Sequence, residues 1–356
     1  MRSLIALFCY ASIAAFGGPA YSVQAVPPPI GYSAVYFGIN NSGQVTGYGT
    51  SSGGVLQALI GAPFGSAAIP LAPGYQFAEG SGINNAGQVV GTVGTATTGM
   101  SFVGTASGIA LVTSPPFATA SGINDSGQIV GYEFVGSNVV AFVGTVAGIA
   151  PVPLPKGWSY SQGVDINNAG QITGVAGQGN GPFHVFIGTA SSITVLPLPS
   201  GFTQTIGFAI NDSGKVSGWG FVGTGFQEQA FVGDLSGLTP IPLPPGATTA
   251  EATVQSINNS GIVVGGSDTG GWIWDATHGT RLLNGLVPSG WNVEGAISIS
   301  SSGLILAVAA LNGGPFQYVE LAPAAPVSTP GPTTWMLVVI GLGLLPVIRR
   351  FARRTI

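Results

Sequence analysis

Ile83-Asn-Asn-Ala-Gly-Gln-Val-Val-Gly91 is the stretch that decides the fold, because it recurs along the chain. Close copies run over 39–47, 123–131, 166–174, 210–218 and 257–265, and an altered seventh copy begins Ile299-Ser-Ser-Ser-Gly303. One glycine marks the turn of each copy: Gly43, Gly87, Gly127, Gly170, Gly214, Gly261 and Gly303. Their spacings of 40 to 47 residues indicate a repeat architecture.

Each copy has the composition of a β-hairpin. Asn-Asn-Ala-Gly favours a tight turn, because Asx side chains bond the local backbone and glycine accepts a positive φ. A second apolar element follows, typified by Phe102-Val-Gly-Thr, with weaker forms at Leu59-Ile-Gly, Ile273-Trp-Asp and Tyr318-Val-Glu. A third element, such as Val152-Pro-Leu-Pro, predicts a strand at a sheet edge, because proline cannot donate to a ladder.

Four short strands in about 43 residues match one β-propeller blade. The sequence therefore predicts an all-β, seven-bladed β-propeller over residues 21–322, with an open β-solenoid as the alternative. The last repeat lacks a Leu-Pro strand, and the segment from Tyr21 to Pro29 resembles the missing strand. We expect this segment to complete the last blade and so remove two free sheet edges.

The repeat resembles the HAF family of extracellular repeats, whose units carry Gly-Ile-Asn-x-x-Gly-Gln-Val-Val-Gly followed by an Ala-Phe strand. Gly82-Ile-Asn, Gly122-Ile-Asn, Ala141-Phe142 and Ala230-Phe231 match that pattern, and His184 stands loosely for the His that precedes Ala-Phe in the family. The resemblance spans roughly residues 21–320. It implies an extracellular β-repeat protein and no particular activity.

Composition excludes several classes of protein. Of 356 residues, 45% are hydrophobic and only 6% are charged, which argues against disorder, since disorder needs low hydrophobicity and high net charge. Between residues 21 and 330 the cations are Lys156, Lys215 and Arg281, against twelve acids. This acidic body lacks the basic patch that nucleic-acid binding requires.

The N-terminus predicts a secretory signal peptide over residues 1–20. Arg2 precedes the apolar run from Leu4 to Phe16, and small residues lead to a cleavage site after Ala20, with Ala25 as the alternative. A buried N-terminal strand or helix is the competing interpretation. Cys9 lies within the signal, so the mature chain has no cysteine for disulfides or thiol chemistry.

The C-terminus divides into a linker over 323–334, an apolar segment over 335–348 and a basic tail over 349–356. The apolar segment is short for a membrane span, which needs about 20 residues, and the tail after it fits the positive-inside rule. Pro330-Gly-Pro332, the apolar segment, and Arg349 and Arg350 resemble the PEP-CTERM sorting signal of Gram-negative bacteria, although Gly331 replaces the family's Glu. The resemblance implies recognition by an exosortase-type enzyme and membrane attachment before processing; a plain tail anchor is the alternative.

Residues suited to catalysis are scarce. His184 and His278 fall in different repeats, no serine has an evident His partner, and no phosphate loop is present. The Asn/Asp turns offer at most one carboxylate each, too few for a calcium loop. Four turns match the N-glycosylation pattern, at Asn40, Asn124, Asn211 and Asn258, which we attribute to the turn itself. We therefore predict no catalytic site, metal or cofactor.

Tryptophan is the remaining candidate for binding. Exposed indoles stack on sugars, although packing between blades is the competing interpretation for each: Trp158, Trp219, Trp272, Trp274 and Trp291. The sequence thus predicts a secreted, non-enzymatic protein of the cell envelope or extracellular matrix, in contact with exopolysaccharide in a biofilm or with a surface protein. A glycan hydrolase or lyase acting in the central channel is the alternative, and it would need convergent carboxylates. A coat protein without a specific ligand is a third.

Overall fold

The structure, a computed structural model, describes residues 20–179, 181–224, 227–248 and 256–324. Within these ranges the chain forms 28 β-strands and one short 3₁₀ helix, Leu283–Gly285. The strands are β1 (Tyr21–Ala25), β2 (Tyr32–Ile39), β3 (Val45–Ser51), β4 (Leu56–Ala62), β5 (Gly65–Ala68), β6 (Phe77–Ile83), β7 (Val89–Gly94), β8 (Gly99–Thr105), β9 (Gly108–Leu111), β10 (Thr119–Ile123), β11 (Ile129–Val135), β12 (Asn138–Thr145), β13 (Gly148–Pro151), β14 (Tyr160–Ile166), β15 (Ile172–Gly177), β16 (Phe183–Thr189), β17 (Ser192–Val195), β18 (Phe202–Ile210), β19 (Val216–Val222), β20 (Gln227–Asp234), β21 (Gly237–Pro240), β22 (Ser256–Ile257), β23 (Val263–Gly265), β24 (Trp272–Asp275), β25 (Gly279–Leu282), β26 (Trp291–Ile299), β27 (Ile305–Leu311) and β28 (Gln317–Pro323).

The strands form seven four-stranded antiparallel sheets. Blades 1 to 6 are consecutive meanders that start at β2, β6, β10, β14, β18 and β22, and blade 7 combines β26, β27 and β28 with β1. β1 pairs with β28 from Tyr21↔Pro323 to Ala25↔Val319. The seven-bladed propeller and its closure by the N-terminal strand are therefore confirmed, and the solenoid alternative is excluded.

Two details of the predicted blade are wrong by a few residues. The fourth strand is the short segment before each Leu-Pro run: in blade 3 it is β13, and Val152 adds one more bond, to the carbonyl of Ala141. The Pro-rich run then links one blade to the next, since proline cannot donate further bonds. The third-strand register also moves by one residue in the last two blades, where Trp272 and Val319, rather than Ile273 and Tyr318, take the place of Phe102.

The large side chain of the third strand fills the centre of each blade. Phe102, Phe142, Phe186 and Phe231 are fully buried, and each pairs with the last glycine of the repeat on the second strand. A Cβ at Gly131, for example, would lie 2.8 Å from the Phe142 ring. That glycine is therefore required by close packing. The hydrophobic core lies between neighbouring blades, since each buried cluster combines residues of two of them.

The predicted signal peptide, the sorting motif with Pro330, Pro332, Arg349 and Arg350, the apolar segment and the basic tail lie outside the described residues. Within the described ranges, no helix is long and apolar enough to span a membrane.

Candidate functional site: the mouth of the central channel

The repeated Asn-x-x-Gly turn joins the first and second strands of each blade. In blade 3, Asn124 Oδ1 accepts hydrogen bonds from the backbone N–H groups of Ser126 and Gln128, at 3.2 and 2.9 Å. The Gly127 N–H donates to the Asn124 carbonyl, and Gly127 has a φ of +78°. The turn glycines of all seven repeats share a positive φ of 74–86°, which side chains other than glycine adopt only with strain.

The first Asn of each turn also connects neighbouring blades. Its side-chain amide donates to the backbone carbonyl of the same Asn in the next blade. This bond measures 2.9–3.0 Å at five seams: Asn40 to Asn84, Asn84 to Asn124, Asn124 to Asn167, Asn167 to Asn211, and Asn211 to Asn258. The Asn side chain is thus a turn former and an inter-blade clamp at once.

The second residue of each turn builds a parallel series of contacts. Its backbone N–H donates, at 2.9 Å, to the side-chain oxygen of its counterpart in the next blade; the series runs from Asn41 through Asn85, Asp125, Asn168 and Asp212 to Asn259. Ser302 of blade 7 then donates its N–H to Asn41 Oδ1 at 3.0 Å. We call these two series together the Asx belt.

The Asx belt surrounds a cavity of about 410 Å³, lined by residues from all seven blades. Two carboxylates of the belt lie close together there. The Asn168 amide nitrogen lies 3.1 Å from Asp125 Oδ2 and 3.3 Å from Asp212 Oδ2, so the two oxygens are at most ~6.4 Å apart. Asn85 and Asn259 also donate to these oxygens, at 2.9 and 2.7 Å. Both carboxylates therefore serve as acceptors within the belt.

Asp165 is a third carboxyl group at the mouth of the channel. It precedes Ile166 at a β-bulge, at a position where the other blades have glycine, alanine or serine. Its two oxygens accept hydrogen bonds from the N–H groups of Ile166 and Ile210, both at 2.9 Å. Burial outweighs these donors and raises the pKa of Asp165 to about 6, with the charge of Asp212 adding to the rise.

The tryptophans predicted as glycan contacts occupy different environments. Trp272 is 1% exposed and donates its indole N–H to the Gly266 carbonyl, which removes it from the set of candidate contacts. Trp158, Trp219 and Trp291 are partly buried; Trp158 packs edge-on against His184, and Trp219 stacks on Phe208. Trp274 lies partly exposed in a groove between blades 5 and 6. The five residues do not form one surface.

The histidines and glycosylation patterns have local explanations. The Nδ1 atom of His184 lies 3.1 Å from the Leu196 carbonyl, and His278 contacts the Asp275 carboxylate at 2.9 Å. The four Asn residues of the glycosylation patterns are 3% exposed, and three of their amides are seen to clamp the next blade. Among the described residues, no three His, Cys, Asp or Glu side chains are grouped as metal ligands would be.

Sequence reasoning missed the three carboxylates of the channel mouth. In the sequence, Asp125 and Asp212 belong to separate turns with one carboxylate each, whereas the ring brings them together from blades 3 and 5. Asp165 could have been found by comparing the residue before Ile-Asn across the repeats, since it is the only charged residue at that position.

No family model and no curated protein matches the chain. Among solved structures, it is similar to YCF48 bound to D1 peptide, with a TM-score of 0.52 and 8% identity over 87% of this chain and 97% of that one. It is also similar to a prolyl endopeptidase, with a TM-score of 0.50 and 10% identity over 86% of this chain and 51% of that one. The match to TolB from Acinetobacter baumannii has a TM-score of 0.47 and 10% identity over 79% of this chain and 63% of that one.

At such low identity these likenesses show the fold alone. The chain spans 63% of the TolB chain and about half of the prolyl endopeptidase. Propellers of this shape therefore occur in a peptide-bound protein and in a peptidase alike, and the fold does not choose between binding and catalysis.

Proposed function

We propose that this chain is a secreted, non-enzymatic β-propeller, sorted to the cell envelope or extracellular matrix of a Gram-negative bacterium and associated with exopolysaccharide. The observation that carries the proposal is the Asx belt. The most regular polar residues of the repeat bond one blade to the next, so what the repeats preserve is a rigid ring. Stacked repeats of this kind commonly present an extended binding surface, which supports a binding role.

The two ends of the chain support the envelope location. A signal peptide over 1–20 delivers the chain through the Sec route, and the segment from Pro330 to the terminal arginines engages the sorting enzyme and, before processing, the membrane. A closed ring also suits a cysteine-free protein outside the cell, because it leaves few sheet edges open to other chains.

Two experiments test this proposal. Cell fractionation should find the protein in the envelope or matrix, whereas removal of residues 330–356 should release it into the medium. Purified full-length protein should co-sediment with the producing organism's own exopolysaccharide in a saturable manner. Cytoplasmic protein, or full-length protein that never associates with the polysaccharide, would contradict the proposal.

The second candidate is a glycan hydrolase or lyase, favoured by the three carboxylates in the channel mouth. A group with a pKa of about 6, such as Asp165, can donate a proton near neutral pH, and paired carboxylates carry out glycoside hydrolysis. Incubation with the exopolysaccharide, followed by size-exclusion chromatography, separates the candidates. Shortened polymer whose formation is abolished in Asp165→Ala would favour the enzyme, while polymer of unchanged size would favour the binding protein.

A further inference from the structure

The repeats allow each blade to be compared with the others, and blade 6 departs at one position of its third strand. The residue that pairs with the first residue of the second strand is glycine in blades 1 to 5, namely Gly61, Gly104, Gly144, Gly188 and Gly233. In blade 6 that residue is Trp274, paired with Val263, and in blade 7 it is Leu321, which is fully buried. Part of the indole packs against the core between blades 5 and 6, and the rest lines a groove at the surface.

Blade 5 departs from the pattern beside this indole. The residue after the turn glycine is Gln in blades 1 to 4, whereas blade 5 has the exposed Lys215, which lines the same groove. The described residues contain three Lys or Arg side chains, and a second one, Arg281, pairs with Asp275 of this groove at 2.7 Å. The departures of two neighbouring blades thus place an aromatic face and positive charge together.

The groove between blades 5 and 6 has a volume of about 490 Å³, within the usual range for small-molecule sites. Its two carboxylates have different roles. Asp275 accepts hydrogen bonds from Thr277, His278 and Arg281. Burial raises its pKa, but the hydrogen bonds from His278 and Thr277 outweigh burial and lower it. Asp234 uses only Oδ1 among the described residues, to accept from the N–H and hydroxyl of Ser236. Asp234 Oδ2 accepts no hydrogen bond from the described residues, and Lys215 interacts with Asp234 through its charge, so both groups can hydrogen-bond a ligand.

We propose that this groove binds a short stretch of neutral glycan. The exposed part of the Trp274 indole offers an apolar face to a sugar ring. Asp234 Oδ2 can accept a hydrogen bond from a sugar hydroxyl, and Lys215 can donate one to another. The hydroxyls of Ser236, Thr239 and Thr277 line the rest of the groove.

The charge of the protein favours a neutral ligand over an acidic one. Lys215 is balanced by Asp234, and Arg281 by Asp275, so the groove has no net positive charge. The whole chain carries a net charge of −4, which repels polyanions at low ionic strength. This inference rests on the proposed association with polysaccharide and names the place where it occurs.

Binding of the full chain should be measured by isothermal titration calorimetry. The probes are the producing organism's exopolysaccharide, three neutral hexasaccharides (maltohexaose, cellohexaose and xylohexaose), and an acidic alginate hexasaccharide. We expect at least one neutral probe to bind. Trp274→Ala should weaken that binding about tenfold, equivalent to about 1.4 kcal/mol. Lys215→Gln, which restores the residue of blades 1 to 4, should weaken it about threefold.

Lys156→Gln removes the same charge at an exposed site outside the groove and should leave the affinity unchanged. Circular dichroism shows whether the Trp274→Ala variant remains folded; if that variant is unfolded, Lys215→Gln alone tests the groove.

Wild-type affinity in both groove variants would overturn the groove assignment and leave the proposed function standing. Groove-dependent binding of a hexasaccharide without binding of the exopolysaccharide would support the groove and overturn the proposed function. Binding of alginate alone would overturn the neutral ligand, and no binding of any probe would overturn both proposals.

Discussion

The five seams that join each of blades 1 to 5 to the next blade differ from the seam between blades 7 and 1, where the ring closes. At the five repeated seams the buried Asn of the turn donates to the next blade, whereas Ser300 stands at that position in blade 7 and has no amide to donate. The ring is closed by the pairing of β1 with β28 inside blade 7. The seam between blades 7 and 1 itself is formed by two contacts from Ser302 to Asn41 and by the buried side chain of Glu320. A ring of near-identical units thus needs a different device where its two ends meet.

Glu320 stands at the closing seam where a Gln side chain stands at several of the repeated seams. Gln128 and Gln171 lie against the turn glycines Gly170 and Gly214 of the following blades, and Glu320 takes this place against Gly43. Glu320 is 7% exposed, and its Oε2 has no hydrogen-bond partner among the described residues. Burial raises the pKa of this carboxyl. The closing seam therefore holds a buried carboxylate oxygen without a donor among the described residues, whereas both oxygens of Asp165, at the seam between blades 4 and 5, accept backbone N–H groups.

The largest expected effect comes from removing the closing strand. Replacing residues 21–29 by a Gly/Ser sequence of equal length abolishes the pairing with β28 and exposes Val26 and the edge of blade 7. Because several buried apolar groups and a full strand ladder are lost, we expect the melting temperature to fall by about 10 °C or more. Differential scanning calorimetry measures it. A similar Gly/Ser replacement of the exposed hairpin at 95–98 is the control, and equal melting of both variants would show that β1 does not close the ring.

Breaking a repeated seam should have a smaller effect. Asn124→Ala leaves the N–H groups of Ser126 and Gln128 and the carbonyl of Asn167 without their partner. We expect a loss of about 2–3 kcal/mol in the free energy of unfolding, since buried unsatisfied polar groups cost about 1–3 kcal/mol each. Chemical denaturation measures it. Ser300→Ala at the closing seam is the matched control and should lose only about 1 kcal/mol; an equal loss in both would remove the distinction between the seams.

Asp165 makes one repeated seam sensitive to pH. Its pKa is about 6 in the folded state against 3.8 for an ordinary Asp, so the folded state binds a proton that the unfolded chain releases. The penalty for ionising it is absent below about pH 4 and complete above about pH 6, so stability falls as pH rises through this window, by about 2–3 kcal/mol. Unfolding of wild type and Asp165→Ala, the residue of blade 5, should differ in pH dependence by this amount between pH 4 and 7. Parallel pH profiles would contradict the assignment.

Glu320→Gln should give the smallest change in stability, and it should raise the melting temperature rather than lower it. The substitution removes the buried charge and restores the amide that faces the turn glycine at the repeated seams. We expect the melting temperature at pH 7 to rise by about 2–4 °C, the effect of about 1 kcal/mol in a large domain. Because protonation removes the same charge, the gain should shrink as the pH is lowered. A lower melting temperature at pH 7 would mean that the Glu320 carboxylate stabilises the closing seam.

The sequence by itself determined the all-β class, the number of blades and the closing role of β1. The repeated features are local: a turn glycine returns every 40 to 47 residues, with an Asx turn in six repeats and a large aromatic side chain in five, and each follows from short-range chemistry. The register of blades 6 and 7 could not be determined in the same way. A one-residue shift reverses which side chains face the core, and the altered repeats no longer mark the face.

Only the tertiary structure decided which residues meet. Asn84 and Asn124, or Asp125 and Asp212, are 40 or more residues apart in the chain and come together because the ring stacks equal turns around one axis. The same closure buries Trp272, leaves Trp274 in a groove, and leaves Glu320 Oε2 without a hydrogen-bond partner in the part of the chain that the structure describes. Exposure and partnership depend on neighbouring blades, and no property of a single repeat encodes them.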